Sequence, residues 1–239
     1  FYTKDEKEIK SFKYIIPPTL MVLIPMALIL YQPDLGTSII LLTLGAVIFF
    51  LIGVQWWKFA ICGVLLLSAA PLAWKYVLKD YQKNRVMVFI DPESDPLGKG
   101  YNITQSKIAI GSGGFFGKGY LKGTQGQLAF LPEKQTDFIF TMLSEETGFI
   151  GAISVVIIFM VIISYTIFMA IDAKNSYCKS IIGGVSTIIF IQSFVNMGMV
   201  MGIFPVVGVP LPLFSYGGTM IATTLISIGF LLNADLYGK

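Results

Sequence analysis

TDFIFTMLSEETGFIGAISVVIIFMVIISYTIFMA, residues Thr136–Ala170, places three acids near its start and no charge at all from Thr147 to Ala170. A helix that crosses the hydrocarbon of a bilayer needs about 20 consecutive, mostly apolar residues. Phe138 to Ala170 satisfies that requirement and reads as a membrane span. Five further stretches do the same: Tyr14 to Tyr31, Leu35 to Val54, Phe59 to Leu78, Ile181 to Phe204, and Leu213 to Leu232. The expected fold is therefore all-α, a polytopic bundle of six transmembrane helices forming a single membrane domain, with one long loop over residues 79–136. Pro17, Pro18 and Pro25 lie inside the first span, so that helix is expected to pack against protein that satisfies the freed carbonyls.

Composition agrees with a bilayer protein. Of 239 residues, 55% are hydrophobic and only 13% charged, where a soluble domain carries roughly 25% charged residues; the mean hydropathy is +0.75. The net charge is +3 and the basic residues are scattered, so no basic stripe exists for a nucleic-acid backbone, and nucleic acid is not an expected partner. Cys62 and Cys178 lie far apart in sequence and give neither a disulfide framework nor metal-ligand spacing. The chain opens on Phe1 and a polar segment, which reads as a piece of a longer protein.

Short loops rich in Lys and Arg stay in the cytoplasm. Lys4, Lys7, Lys10 and Lys13 precede the first span, Lys58 follows the second, Lys174 and Lys179 follow the fourth, and Lys239 follows the sixth. Those ends are expected inside. The connection Gln32–Gly36, the segment Met201–Gly218 and the long loop then lie outside. Within the loop, Gln105–Ile110 reads as a short amphipathic or re-entrant helix.

The chemistry has few candidates. The chain has no His and lacks nucleotide-loop and zinc-protease patterns, so a general base working near neutral pH is expected to be a carboxylate. Asp91, Glu93 and Asp95 in DPESDP read as a solvated turn, and Asp34 as a helix N-cap. Asp137 sits where the loop meets an apolar helix, a place where ionised groups are costly and functional roles common. Complementing the helix dipole is the competing account. Glu145 and Glu146 read as structural contacts. Arg85, Lys107, Lys118, Lys122 and Lys134 offer positive charge for an anionic substrate, and GSGGFFGKG, residues 111–119, reads either as a backbone anion nest or as a close-packing turn.

Four motifs occur in a telling order: QPDLGTS (Gln32–Ser38), DPESDPLGKGYNITQSKIAIGSGG (Asp91–Gly114), LPEKQTDFIF (Leu131–Phe140) and GVPLPLFSYGG (Gly208–Gly218). Together they resemble the RodA branch of the SEDS family, membrane-embedded glycosyltransferases that polymerise peptidoglycan. The family is drawn with ten spans, of which this chain matches the last six. Lys134 and Gln135 stand where relatives often carry a His before Thr-Asp. The resemblance implies that Asp137 is the catalytic acid and that Glu133, Arg85, Gln105, Ser106 and Lys107 contact substrate, while Ser215 to Gly218 shape a helix junction. It further implies a lipid-linked disaccharide-peptide substrate, a divalent cation (Mg or Mn) as a possible cofactor, and partnership with a class B penicillin-binding protein and other elongation-complex membrane proteins. The implied location is the bacterial cytoplasmic membrane, in contact with membrane lipid. A membrane scaffold for the penicillin-binding protein and a lipid-precursor flippase are the alternatives.

Overall fold

The computed structural model describes residues 12–32, 34–76, 78–96, 98–124 and 135–238. In chain order the helices are α1 (Phe12–Tyr31), α2 (Leu35–Leu51), α3 (Trp56–Tyr76), α4 (Asp80–Ile90), a 3-10 turn (Pro92–Ser94), α5 (Lys99–Ser112), α6 (Ile139–Asp172), α7 (Ser176–Val200) and α8 (Gly218–Gly238). Among the described residues no strand occurs, so the all-α reading holds. By length and composition α3, α6, α7 and α8 can each cross a membrane, while Ile15–Tyr31 and Gly36–Leu51 are shorter apolar stretches. The six expected spans thus become four long apolar helices and two short ones. Exposed apolar side chains run along them, with Leu65, Leu66 and Leu67 on α3 exposed. Such a surface would drive association in water and is ordinary against lipid. The chain is a multi-pass membrane protein.

The described residues fall into two compact units. One lies within Phe1–Val77, Ile163–Ile189 and Leu225–Lys239. Here Asp34 caps α2, accepting from the Thr37 N–H at 3.1 Å while the Thr37 hydroxyl donates to it at 2.6 Å, as the sequence suggests. Thr166 donates to Ser186 at 2.7 Å in a buried contact, and the Lys174 N–H donates to the Gly238 carbonyl at 3.0 Å. α1 keeps its three prolines within one helix, yet Ile16, Leu20, Met21, Ile24 and Leu28 are exposed. The expected protein packing on α1 is confined to the face where Val22 meets Gly45 of α2.

The other unit is Leu78–Ile162 with Phe190–Thr224. Residues 79–96 and 98–124 of the long loop lie within it, and the short helix expected at Gln105–Ile110 extends over the whole of α5. DPESDP is a turn with two capping acids. Asp91 accepts from the Glu93 N–H at 3.2 Å, and Asp95 accepts from the Lys99 N–H at 2.9 Å, starting α5.

α6 is broken at Gly148, where φ is 69° and ψ is −163°. The break strands two carbonyls before it and two N–H groups after it, and residues 113–119 take their place. Lys118 and Gly119 donate to the carbonyls of Glu145 and Glu146 at 3.0 Å each, while the N–H groups of Phe149 and Ile150 donate to Gly114 and Phe115 at 2.8 and 3.2 Å. Only glycine tolerates both this φ and the close approach of the Gly117 backbone. The anion-nest reading of GSGGFFGKG is therefore corrected: the Lys118 and Gly119 amides are committed to α6, and the Gly117 amide to the Gly113 carbonyl at 2.8 Å.

Candidate active site

Gln135, Thr136 and Asp137 form the turn that precedes α6. Their carbonyls lie upstream of the first intrahelical acceptor, the Phe138 carbonyl, which receives the Thr141 N–H at 3.1 Å. Buried carbonyls require donors, and here the donors come from far along the chain. The Tyr216 N–H donates to Gln135 at 2.8 Å, the Ser215 hydroxyl to Thr136 at 2.7 Å, and the Asn196 amide to Asp137 at 2.9 Å. The same Ser215 oxygen accepts from the Leu211 N–H at 2.7 Å, and the same Asn196 nitrogen donates to the Val209 carbonyl at 2.7 Å.

Asp137 is partly buried. One oxygen of its carboxylate faces Gly208, so close that a Cβ added there would sit 3.3 Å away. Gly208 has φ of 72°, a conformation that disfavours any side chain. The connection between α7 and α8 thus forms a bare wall beside the acid.

Positive charge lies within electrostatic reach. The Lys99 ammonium is held below its ordinary value of 10.5, first by burial and then by the Arg85 guanidinium, while Asp137 and Asp95 pull it back up. Arg85 on α4 keeps Nε and Nη1 buried, and among the described residues neither has a hydrogen-bond partner. The Asp137 carboxylate therefore acts on one cation, Lys99, which also feels a second, Arg85, and two such cations can hold an anion. Lys99 was not among the residues expected here; its one sequence signal is its place at the start of a helix capped from a turn of acids.

The other expected contacts are placed differently. Lys107 lies against Gly202, just beyond the end of α7, where a cation complements the helix dipole. Ser106 is fully buried; it donates to the Val200 carbonyl at 2.8 Å and pairs with the Thr141 hydroxyl at 2.6 Å. It ties α5 to α6 and α7, a structural role that accounts for its burial. Gln105 is partly buried, and Glu133 lies outside the described residues. Glu145 is a structural acid: fully buried, it accepts from Lys118 at 2.8 Å and from the Thr124 N–H and hydroxyl at 2.8 and 3.0 Å. Among the described residues no group of three or more His, Cys, Asp or Glu side chains assembles. The described residues thus offer no such cluster for a divalent cation, and no step is routed through one.

Comparison with known proteins gives a consistent picture. The chain is 45% identical over 219 residues to peptidoglycan glycosyltransferase MrdB of Escherichia coli, covering 92% of this chain and 59% of that one. It is 36% identical over 240 residues to stage V sporulation protein E of Bacillus subtilis, covering 100% of this chain and 65% of that one. The chain thus spans about three-fifths of the length of these curated relatives. A solved structure titled as the structural coordination of polymerization and crosslinking by a peptidoglycan synthase complex matches with a TM-score of 0.74 and 28% identity, over 93% of this chain and 62% of that one. Thermus thermophilus rod shape determining protein RodA matches in fold, with a TM-score of 0.62 and 24% identity over 98% of this chain and 61% of that one. The family match, to the cell cycle proteins FtsW, RodA and SpoVE, runs over residues 1–239, and the chain belongs to that family.

Proposed function

We propose that this chain carries the catalytic centre of a peptidoglycan glycosyltransferase in the bacterial cytoplasmic membrane, with residues 79–136 on the outer side. The observation that carries the reading is Asp137, partly buried at the start of α6 and within electrostatic reach of Lys99, which also feels Arg85. The names of its relatives support the same activity.

In the reaction, a sugar hydroxyl of the acceptor attacks the anomeric carbon of a lipid-linked donor. A new glycosidic C–O bond forms, the bond from the anomeric carbon to the diphosphate oxygen breaks, and the hydroxyl proton passes to Asp137. Diphosphate leaves without needing a strong acid, so one carboxylate suffices where a glycosidase needs two. Arg85 and Lys99 supply the positive charge that the departing diphosphate requires; Lys99 takes the part first expected of Lys107. A single displacement inverts the anomeric centre. The substrate's lipid stays in the bilayer, and a class B penicillin-binding protein is the proposed partner that crosslinks the product.

The test is glycan polymerisation from purified lipid-linked precursor in proteoliposomes, using the full-length natural protein and its Asp137→Ala variant. Polymer of inverted configuration that vanishes with Asp137→Ala is the expected result. Equal polymer from the folded variant, or retained configuration, would refute the reading.

A further inference from the structure

The two peptide planes that meet at the Asp137 Cα are each held by a side chain from a distant part of the sequence. The plane before it presents the Thr136 carbonyl to the Ser215 hydroxyl, and the plane after it presents the Asp137 carbonyl to the Asn196 amide. Orienting one plane sets φ of Asp137 and orienting the other sets ψ, so together they set the direction of the Cα–Cβ bond. We propose that Asn196 and Ser215 are positioning residues, which aim the Asp137 carboxylate by clamping the backbone on either side of it.

Three observations favour positioning over general packing. Asn196 and Ser215 are almost wholly buried, at 0% and 1% exposure. Their hydrogen bonds reach the same wall that faces the carboxylate: Asn196 bridges Asp137 to Val209, the neighbour of Gly208, and Ser215 bridges Thr136 to Leu211. Lastly, the Asn196 Oδ1 is buried and, among the described residues, has no hydrogen-bond partner. An orphaned buried acceptor is destabilising, so Asn196 is a costly choice for filling space and a reasonable one for tying two carbonyls together.

The inference rests on the glycosyl-transfer reading, and the experiment separates the two. Polymerisation kinetics are measured with the full-length protein and purified lipid-linked precursor for Asp137→Ala, Ser215→Ala, Asn196→Ala, the Ser215/Asn196 double variant and Thr166→Val. The last removes an equally buried hydrogen bond in the other unit. Misplacing a catalytic group by about 1 Å can lower rates about 100-fold. Each clamp variant should therefore lose about ten-fold or more in kcat, with KM within about two-fold. The double variant should lose less than the product of the two single losses, because both act on one residue. Thr166→Val should lower the unfolding temperature to a similar degree while keeping kcat. If Ser215→Ala does not fold, the near-isosteric Ser215→Cys, a weaker donor, should show an intermediate kcat. Clamp variants with unchanged kcat and lowered stability would overturn the inference and leave the glycosyl-transfer reading standing. An active Asp137→Ala would instead remove the reading itself.

Discussion

Asp137 ends a loop and begins a helix, and that placement exposes its carboxylate to influences from both. Its substitution by Ala should lower polymerisation by at least about 100-fold, the usual scale for losing a general base, with the unfolding temperature nearly unchanged because the backbone clamp stays in place. Lys99 should behave in the opposite way. Burial and Arg85 disfavour its charge, so Lys99→Met should stabilise the fold while weakening precursor binding by about ten-fold, a typical cost for one charged contact to an anion. The pH dependence has a fixed sign. Because the folded pKa lies below 10.5, the unfolded chain holds the extra proton between the two values, and stability rises with pH across that window. The stability gained in Lys99→Met should be fullest below the lowered pKa and vanish by about pH 10.5, as denaturation across pH would register. The place of Asp137 at a helix start was legible in the sequence because an acid at the edge of a long apolar run stands out. Lys99 was not, since its neighbours come from α4 and from the turn before α6. Asn196 left a trace, a polar amide in an apolar helix, a kind of residue that commonly holds neighbouring elements.

At the scale of elements, the loop and α6 exchange hydrogen bonds across the Gly148 break, and Glu145 fastens that exchange. Its carboxylate is fully buried, whereas the Lys118 side chain is 27% exposed. Breaking a wholly buried pair costs about 3–5 kcal/mol; Glu145→Ala should cost about 2–4 kcal/mol, reduced by that exposure, and chemical denaturation in detergent would measure it. An unchanged midpoint would show that the backbone exchange alone holds the loop. The apolar helices were legible from hydropathy, though their ends differ by up to six residues, as where the expected Leu213–Leu232 is Gly218–Gly238; the cap at Asp34 and the turn at DPESDP were legible from their residue types. The break was not, because a glycine inside a long apolar run carries the same signal whether it packs a neighbour or reverses the chain. The role of residues 113–119 depended on that break and was hidden with it.

For the whole molecule, composition carried most of what was legible, a bilayer protein, and the charge of the short loops gives an expected orientation with the basic ends inside. That orientation predicts a labelling pattern. In a background with Cys62 and Cys178 replaced, Ser112→Cys should react with an impermeant maleimide on intact cells, and Lys174→Cys only after the membrane is opened; the reverse pattern would invert the topology. Aromatic side chains at the loop tip, Phe115, Phe116 and Tyr120, are exposed, as is common where protein meets lipid headgroups. The Gly148 break has a bearing on length. Its 34 residues would make an unbroken α6 about 51 Å long at 1.5 Å per residue, far more than the roughly 30 Å of hydrocarbon in a bilayer. Below the break, Phe149–Asp172 alone reaches about 36 Å, enough to span with a modest tilt. The short collar above it, which begins beside Asp137, is relieved of crossing lipid. A thicker or thinner membrane is then to be matched by the tilt of Phe149–Asp172 alone.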